Sequence, residues 1–269
     1  MAAPVLSRSV GSFLVHAVVD VSGPIDTTAH EAFPDATEEQ WAAARSFDPA
    51  AFGPDDAWVL PFRAFVVVAP DDAVTMVDLG VGTQISPAAS WAPGRGTLPD
   101  GLDALGISPT DVDLVVLTHL HEDHVGWVVG PNGLPLFANA EHVVQATEVH
   151  AIAEDRVIRA ATVDPLRAAG LLREIDGPYA LRPGIDVEPT PGHTVGHQSV
   201  WLGSGDDVLL LTGDVLVHAV QLLFADVAYA AEDDPMAGYA TRTRIYAEAE
   251  RRGALLGTAH LTNAFVAVP

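Results

Sequence analysis

Short apolar runs recur along the chain and end in Gly, Pro, Asp or His, which is the pattern of buried strands interrupted by loops. Residues 12–21 alternate loosely and predict a first strand leading into Ser22-Gly23-Pro24. Residues 62–69 and 73–78 read as two strands joined by a turn at Pro70-Asp71-Asp72. Asp113-Leu114-Val115-Val116-Leu117 is rich in β-branched residues and apolar on both faces, as a central strand must be. Further strands are predicted over 141–145, 185–190, 199–202, 208–211 and 255–259. Between them the period shifts toward that of a helix. Thr37-Glu38-Glu39-Gln40 has the capping-box pattern for a helix through residue 46, and Gly106 stops another that reaches Leu105. Apolar positions at helical spacing predict a single helix over 148–170, and Asp234-Pro235 opens a helix that Gly253 closes.

Periodicity alone therefore gives a mixed α and β protein, and composition narrows it. With 269 residues, 49% of them hydrophobic and only 18% charged, the chain can bury one sizeable core, and no linker-like stretch divides it. The reading is a single domain over residues 1–269. Residues 22–61 stand apart, being rich in Pro, Asp and Ala and gathering Phe33, Trp41, Phe47, Phe52 and Trp58. They are expected to form an insertion lying over the domain, whose aromatics either pin it down or line a pocket.

Charge excludes one class of partner. A net charge of −23, with every basic residue an Arg, repels phosphate backbones, so nucleic acid is not an expected partner. There is no cysteine, hence no disulfide and no thiolate ligand. Residues 1–8 lack a basic head followed by an apolar core, and no uninterrupted apolar run reaches membrane-spanning length. The expectation is a soluble, cytoplasmic protein with no membrane partner that acts on a small molecule, with homodimer formation left open.

The chemistry is concentrated in Thr118-His119-Leu120-His121-Glu122-Asp123-His124, at the end of the strand that closes on Leu117. There the backbone leaves the sheet, so the side chains at 119, 121, 123 and 124 can converge instead of alternating between faces. Imidazole nitrogens and carboxylate oxygens suit zinc, iron, manganese or cobalt, and so many could not be buried together without a cation. Three later strand ends carry single candidates: Thr190-Pro191-Gly192-His193, Leu211-Thr212-Gly213-Asp214 and Gly257-Thr258-Ala259-His260.

This order, H-x-H-x-D-H and then His, Asp and His, resembles the metallo-β-lactamase superfamily over nearly the whole chain. The resemblance implies an α/β fold, a four-layer αββα sandwich with the ligands on loops at one edge of the sheets. It implies two divalent metal ions, zinc first among them: one on His119, His121 and His193, the other on Asp123, His124 and His260, with Asp214 bridging. Asp78, in Asp78-Leu79-Gly80, would support a ligated histidine. Water held between two cations loses a proton near neutral pH and becomes the nucleophile, with Asp123 and Asp214 at the reacting centre.

The aromatic insertion, the His124-Val125-Gly126-Trp127 continuation and Asp214-Val215-Leu216-Val217-His218 look most like the N-acyl-homoserine lactonase and methyl parathion hydrolase group. The implied function is hydrolysis of a lactone, carboxylic ester or phosphotriester. The better-known lactonases place a Tyr shortly after the bridging Asp. Here His218 is expected as a catalytic hydrogen-bond donor in its stead, and Trp127 as an indole beside the site. Other readings are a glyoxalase II-like thioesterase, which usually presents basic residues that this chain lacks near its motifs, and a β-lactamase-like amide hydrolase. A di-metal redox enzyme would normally need a flavin domain, and a non-catalytic binding module would not need an intact ligand set. His142 and His150 are expected to be ordinary surface or packing residues.

Overall fold

In a computed structural model describing residues 5–204 and 207–269, the apolar runs become two sheets packed face to face. Residues 1–4, part of the segment read for a leader, lie outside the described residues. The first sheet holds β1 (Val5–Val10), β2 (Phe13–Thr28), β3 (Ala57–Val68), β4 (Val74–Val77), β5 (Val112–Val116), β6 (Glu141–Gln145) and β7 (Leu172–Ile175), side by side in chain order. Its first four strands pair antiparallel and β4 to β7 pair parallel. The second sheet holds β8 (Tyr179–Arg182), β9 (Ile185–Pro189), β10 (Gln198–Ser204), β11 (Asp207–Leu211), β12 (Leu255–Gly257) and β13 (Phe265–Val266), with β11 and β12 parallel. The helices are α1 (Ala29–Ala32), α2 (Glu38–Phe47), α3 (Leu98–Ala104), α4 (Ala146–Ala151), α5 (Arg156–Ala161), α6 (Val163–Ala169), α7 (Ala219–Leu223) and α8 (Pro235–Arg252).

Strand alternation builds the layers. Phe65 and Val67 of β3 face Val187, Val200, Leu209 and Leu211 in the core between the sheets, while Ala64 and Val66 face Leu98, Leu102 and Leu166 of the helices on the far side. In the second sheet Leu210, Trp201 and Leu256 point the other way, onto Ile245, Tyr246 and Ala249 of α8. The result is the αββα metallo-β-lactamase sandwich. Among the described residues, no helix is long and apolar enough to cross a membrane.

Several boundaries differ from the sequence reading. Residues 22–28 and 57–61 do not lie over the domain: they extend β2 and β3, with Pro24 opposite Val59, and only the stretch between them leaves the sheet. The single helix expected over 148–170 is three short ones. Pro165 has no N–H and would clash with the carbonyl four residues earlier in a continuous helix. The chain instead breaks at Thr162 (φ −133), and Asp155 caps α5 through the amides of Val157 and Ile158.

His142, on β6, is fully buried and loses its proton far below the usual imidazole range, at about 4, because burial outweighs the Ala140 carbonyl beside Nδ1. The unfolded chain takes up that proton near pH 6.5 and the folded chain only near 4, so stability falls as pH drops through that window. The loss reaches about 2 kcal/mol by pH 5. Urea unfolding at pH 7 and pH 5 should show His142→Leu losing about 2 kcal/mol less than wild type over this interval. Parallel losses would exclude His142 as the source.

Candidate metal centre

Five strand ends open on one edge of the sandwich. β4 runs into Asp78, β5 into the 118–124 loop, and β9, β11 and β12 into the loops bearing His193, Asp214 and His260. Asp78 takes a left-handed backbone (φ 59) and holds it by bonding the neighbouring loop. Its Oδ1 accepts from Thr118 N at 2.8 Å, and its Oδ2 accepts from Thr118 Oγ1 at 2.8 Å and faces His124 Nδ1 at 2.9 Å. The two loops touch backbone to backbone, with Gly126 N donating to Gly80 O at 2.7 Å, and a Cβ at Gly126 would collide with Val81. That is why the chain continues Val-Gly after His124.

The seven residues expected from the sequence converge. His119, His121 and His193 form one compact group, His119, His124 and Asp214 a second, and Asp123, His124 and His260 a third. Asp214 sits between the halves. Its Oδ2 lies 3.3 Å from His193 Nε2 and 3.9 Å from His119 Nε2, and its Oδ1 lies 3.2 Å from His260 Nε2 and 3.3 Å from His124 Nε2. Each carboxylate oxygen thus faces one pair of imidazoles.

The outer nitrogens fix the tautomers. Thr118 gives its one proton to Asp78, so its oxygen accepts from His119 Nδ1 at 3.0 Å. His124 Nδ1 donates to Asp78, and His260 Nδ1 donates to the Pro61 carbonyl at 3.0 Å. In the neutral rings Nε2 is then a lone pair, and those of His124 and His260 stand 3.3 Å apart. Among the described residues, buried His119 Nε2 and Asp214 Oδ1 find no hydrogen-bond partner. Lone pairs and a carboxylate converging in a dry site require positive charge between them, and this donor set fits divalent cations. Burial disfavours a charge on His124, yet Asp214, Asp123 and Asp78 override it and raise its pKa well above the usual value, whereas burial carries His119 and His193 well below it.

Two supports were not visible in the sequence. His197 is buried, with Nδ1 2.8 Å from Thr190 Oγ1, and its Nε2 accepts the Asp214 amide at 2.9 Å. Burial pulls its pKa down to about 3, so it stays a neutral acceptor. Gly213, at φ 51, passes so close to that ring that a Cβ would meet Nε2 at 2.6 Å. Arg63, on β3, reaches the carbonyls of Thr258, Ala259, Leu261 and Thr262, the loop that carries His260.

His218 does not join the cluster. It caps α7, its Nδ1 accepting from Val220 N at 3.1 Å, and it is packed among Phe33, Trp41, Phe52 and Trp58. Burial takes its pKa to about 3. Trp127 also turns away. Its indole is buried on the helix side of the first sheet and donates to Asp20 Oδ1 at 2.9 Å. The walls of the cavity over the cluster, about 500 Å³, are instead Ile25, Trp58, Leu60, Phe62, Trp91 and Tyr229 on one side and Leu120, Ile152 and Ile158 on another. Of the five aromatics gathered before residue 61, only Trp58 lines it, and the other four stand outside its lining. Tyr229 stacks on His193 with ring centres 6.0 Å apart, and burial, Asp123 and Asp214 push its hydroxyl up to about 12.

Comparison with known proteins agrees with this architecture. An N-acyl homoserine lactonase of Bacillus thuringiensis is 31% identical over 102 residues, an alignment spanning 38% of this chain and only 37% of that protein. The solved structure of AbOPH, a hydrolase in the beta lactamase superfamily, superposes with a TM-score of 0.82 at 22% identity, covering 98% of this chain and 93% of that one. AidC, described as a dizinc quorum-quenching lactonase, superposes with a TM-score of 0.80 at 18% identity over 98% and 93% of the two chains. At such identities the superpositions speak for the fold alone. The sequence profile of the metallo-beta-lactamase superfamily, however, matches residues 62–252, which takes in β4 to β11, part of β3 and every ligand loop but the last, and the chain belongs to that superfamily of metal-dependent hydrolases.

Proposed function

We propose that this chain is a dinuclear metal-dependent hydrolase of uncharged ester-type substrates: lactones, carboxylic esters or phosphotriesters. The observation that carries the reading is Asp214, whose two oxygens face different imidazole pairs on the floor of a largely apolar cavity. His119, His121 and His193 would hold one cation, Asp123, His124 and His260 the other, and Asp214 both. Bound there, divalent cations supply an activated water and polarise the scissile oxygen. The chain's own residues do the rest. Asp78, His197 and the Pro61 carbonyl fix ligand orientation. Tyr229, which lines the cavity and stacks on His193, would offer its O–H to a substrate oxygen, the part expected of His218 from the sequence.

The lining argues for uncharged substrates. It includes Glu122, Asp123, Glu148, Asp155, Asp214 and Asp233, and neither Lys nor Arg. An anionic glutathione-like thioester or a β-lactam would find no cationic side chain to hold its carboxylate, and Glu122, Asp155 and Asp233, outside the ligand set, would disfavour it. The lactonase relative supports the lactone arm.

The test is to strip the protein with a chelator, titrate it with Zn²⁺, and assay lactones, aryl esters, thioesters and phosphotriesters. Two ions per chain and metal-dependent turnover of uncharged esters are expected. A single ion, or turnover confined to anionic substrates, would overturn the reading. Trp58→Ala should lower kcat/KM by roughly 10-fold or more for substrates with an apolar arm, and less for short ones, because the indole wall is lost while the ligands stay. An equal fall for both kinds of substrate would place Trp58 outside the binding surface.

A further inference from the structure

Glu148, the third residue of α4, is a carboxylate only 2% exposed, and among the described residues it bonds amides and a hydroxyl instead of a cation. Its Oε1 accepts from Leu120 N at 3.0 Å, between His119 and His121. Its Oε2 accepts from Thr194 Oγ1 at 2.8 Å and Gly196 N at 3.0 Å, in the loop that begins at His193. One side chain therefore ties a loop of the first sheet to a loop of the second. The fit is close, since a Cβ at Gly196 would run into the backbone of Glu148. Its three bonds hold Leu120, between two ligands of one half, and the loop that carries His193, the third, while Asp123 and His124 follow further along the first of these loops. Asp78 backs His124 directly and His119 through Thr118, while Pro61 and Arg63 back the His260 loop, which Glu148 does not touch.

We infer that Glu148 is a positioning residue acting chiefly on the His119–His121–His193 half, clamping the two loops that must approach for those three imidazoles to share one ion. The inference rests on the dinuclear reading above and adds that the two metal positions lean on partly different supports. The geometry explains why a carboxylate is needed. Three donors, two amides and a hydroxyl, point at one buried group, and only a charged acceptor with two oxygens satisfies all of them. Losing such an outer partner typically weakens metal affinity 10- to 100-fold.

The experiment is a Co²⁺ titration of the metal-stripped full chain, followed by visible absorption, for wild type, Glu148→Gln and Thr194→Val. Gln keeps the shape but turns an NH₂ toward the Gly196 amide, donor against donor. Thr194→Val removes one bond and keeps the charge, which separates clamping from simple loss of a negative charge. Wild type should take two ions, and fewer would fail the dinuclear reading, not the clamp. In Glu148→Gln one binding constant should stay as in wild type and the other weaken roughly 10- to 100-fold, with Thr194→Val moving the same constant by less. The affected constant should be the one that His193→Ala abolishes and His260→Ala retains. Equal weakening of both constants, or no change in either while circular dichroism shows a native fold, would overturn the proposal. Weakening of the constant retained in His193→Ala would do the same.

Discussion

Asp214→Ala is expected to weaken both metal positions and to lower kcat/KM by about a thousandfold or more, the largest functional effect of any single substitution in this chain. The physical ground is that each oxygen of this carboxylate faces a different imidazole pair, so removing it takes an anionic ligand from both halves at once. Asp214→Asn is the sharper variant. It keeps the shape, but its amide presents N–H donors where an acceptor is needed. Metal content by elemental analysis, with kinetics on the best substrate of the ester panel, reads the outcome. If Asp214→Asn retained two tightly held ions and full turnover, Asp214 would not bridge, and the two halves would have to be described as separate sites.

Much of this site could be read from the sequence because its signals are local. Each ligand follows an apolar run that stops, and a loop there gathers side chains that a strand would have sent to opposite faces. The sandwich followed from the same runs, with the layer order supplied by the family resemblance. What escaped depends on partners far along the chain. Glu148 looked like a helix residue, and its bonds go to residues 28, 46 and 48 positions away. Trp127 follows the ligand loop directly, yet its indole is fixed by Asp20, 107 positions earlier, and so it faces the core. His218 was misplaced for another reason. The chain turns into the short helix α7 immediately after it, and an imidazole at the cap position is not among the Ser, Thr, Asp and Asn signals by which helix starts are recognised. The break at Thr162 did have a signal in Pro165, which helical spacing alone overrode. In that region the apolar period survives across three short helices because all three cover the same face of the sheet.

The second large effect is expected at Arg63, a residue outside every motif. Its guanidinium is 5% exposed and bonds four successive-loop carbonyls, at 3.0 Å to Thr258, 3.4 Å to Ala259, 2.5 Å to Leu261 and 2.8 Å to Thr262. Burial lowers its pKa to about 10, with Asp48 opposing the shift, so it remains charged at neutral pH. Asp48 holds the same loop from the other side, accepting from Thr262 N at 3.0 Å. Arg63→Met would fill much of the volume but strand several buried carbonyls, each costing about 1–3 kcal/mol when unsatisfied and not fully additive. The expected fall in unfolding free energy is about 3–5 kcal/mol, measured by urea denaturation of the metal-free protein. In the metal-loaded protein the ion on the Asp123–His124–His260 side should be held more weakly, because His260 rides on that loop while its Nδ1 stays tied to Pro61. Arg63→Lys should recover only part of either loss, since one ammonium cannot span the four acceptors that a planar fork reaches. Near wild-type stability for Arg63→Met, or full rescue by Lys, would mean that the loop is set by Asp48 and the β12–β13 pairing instead.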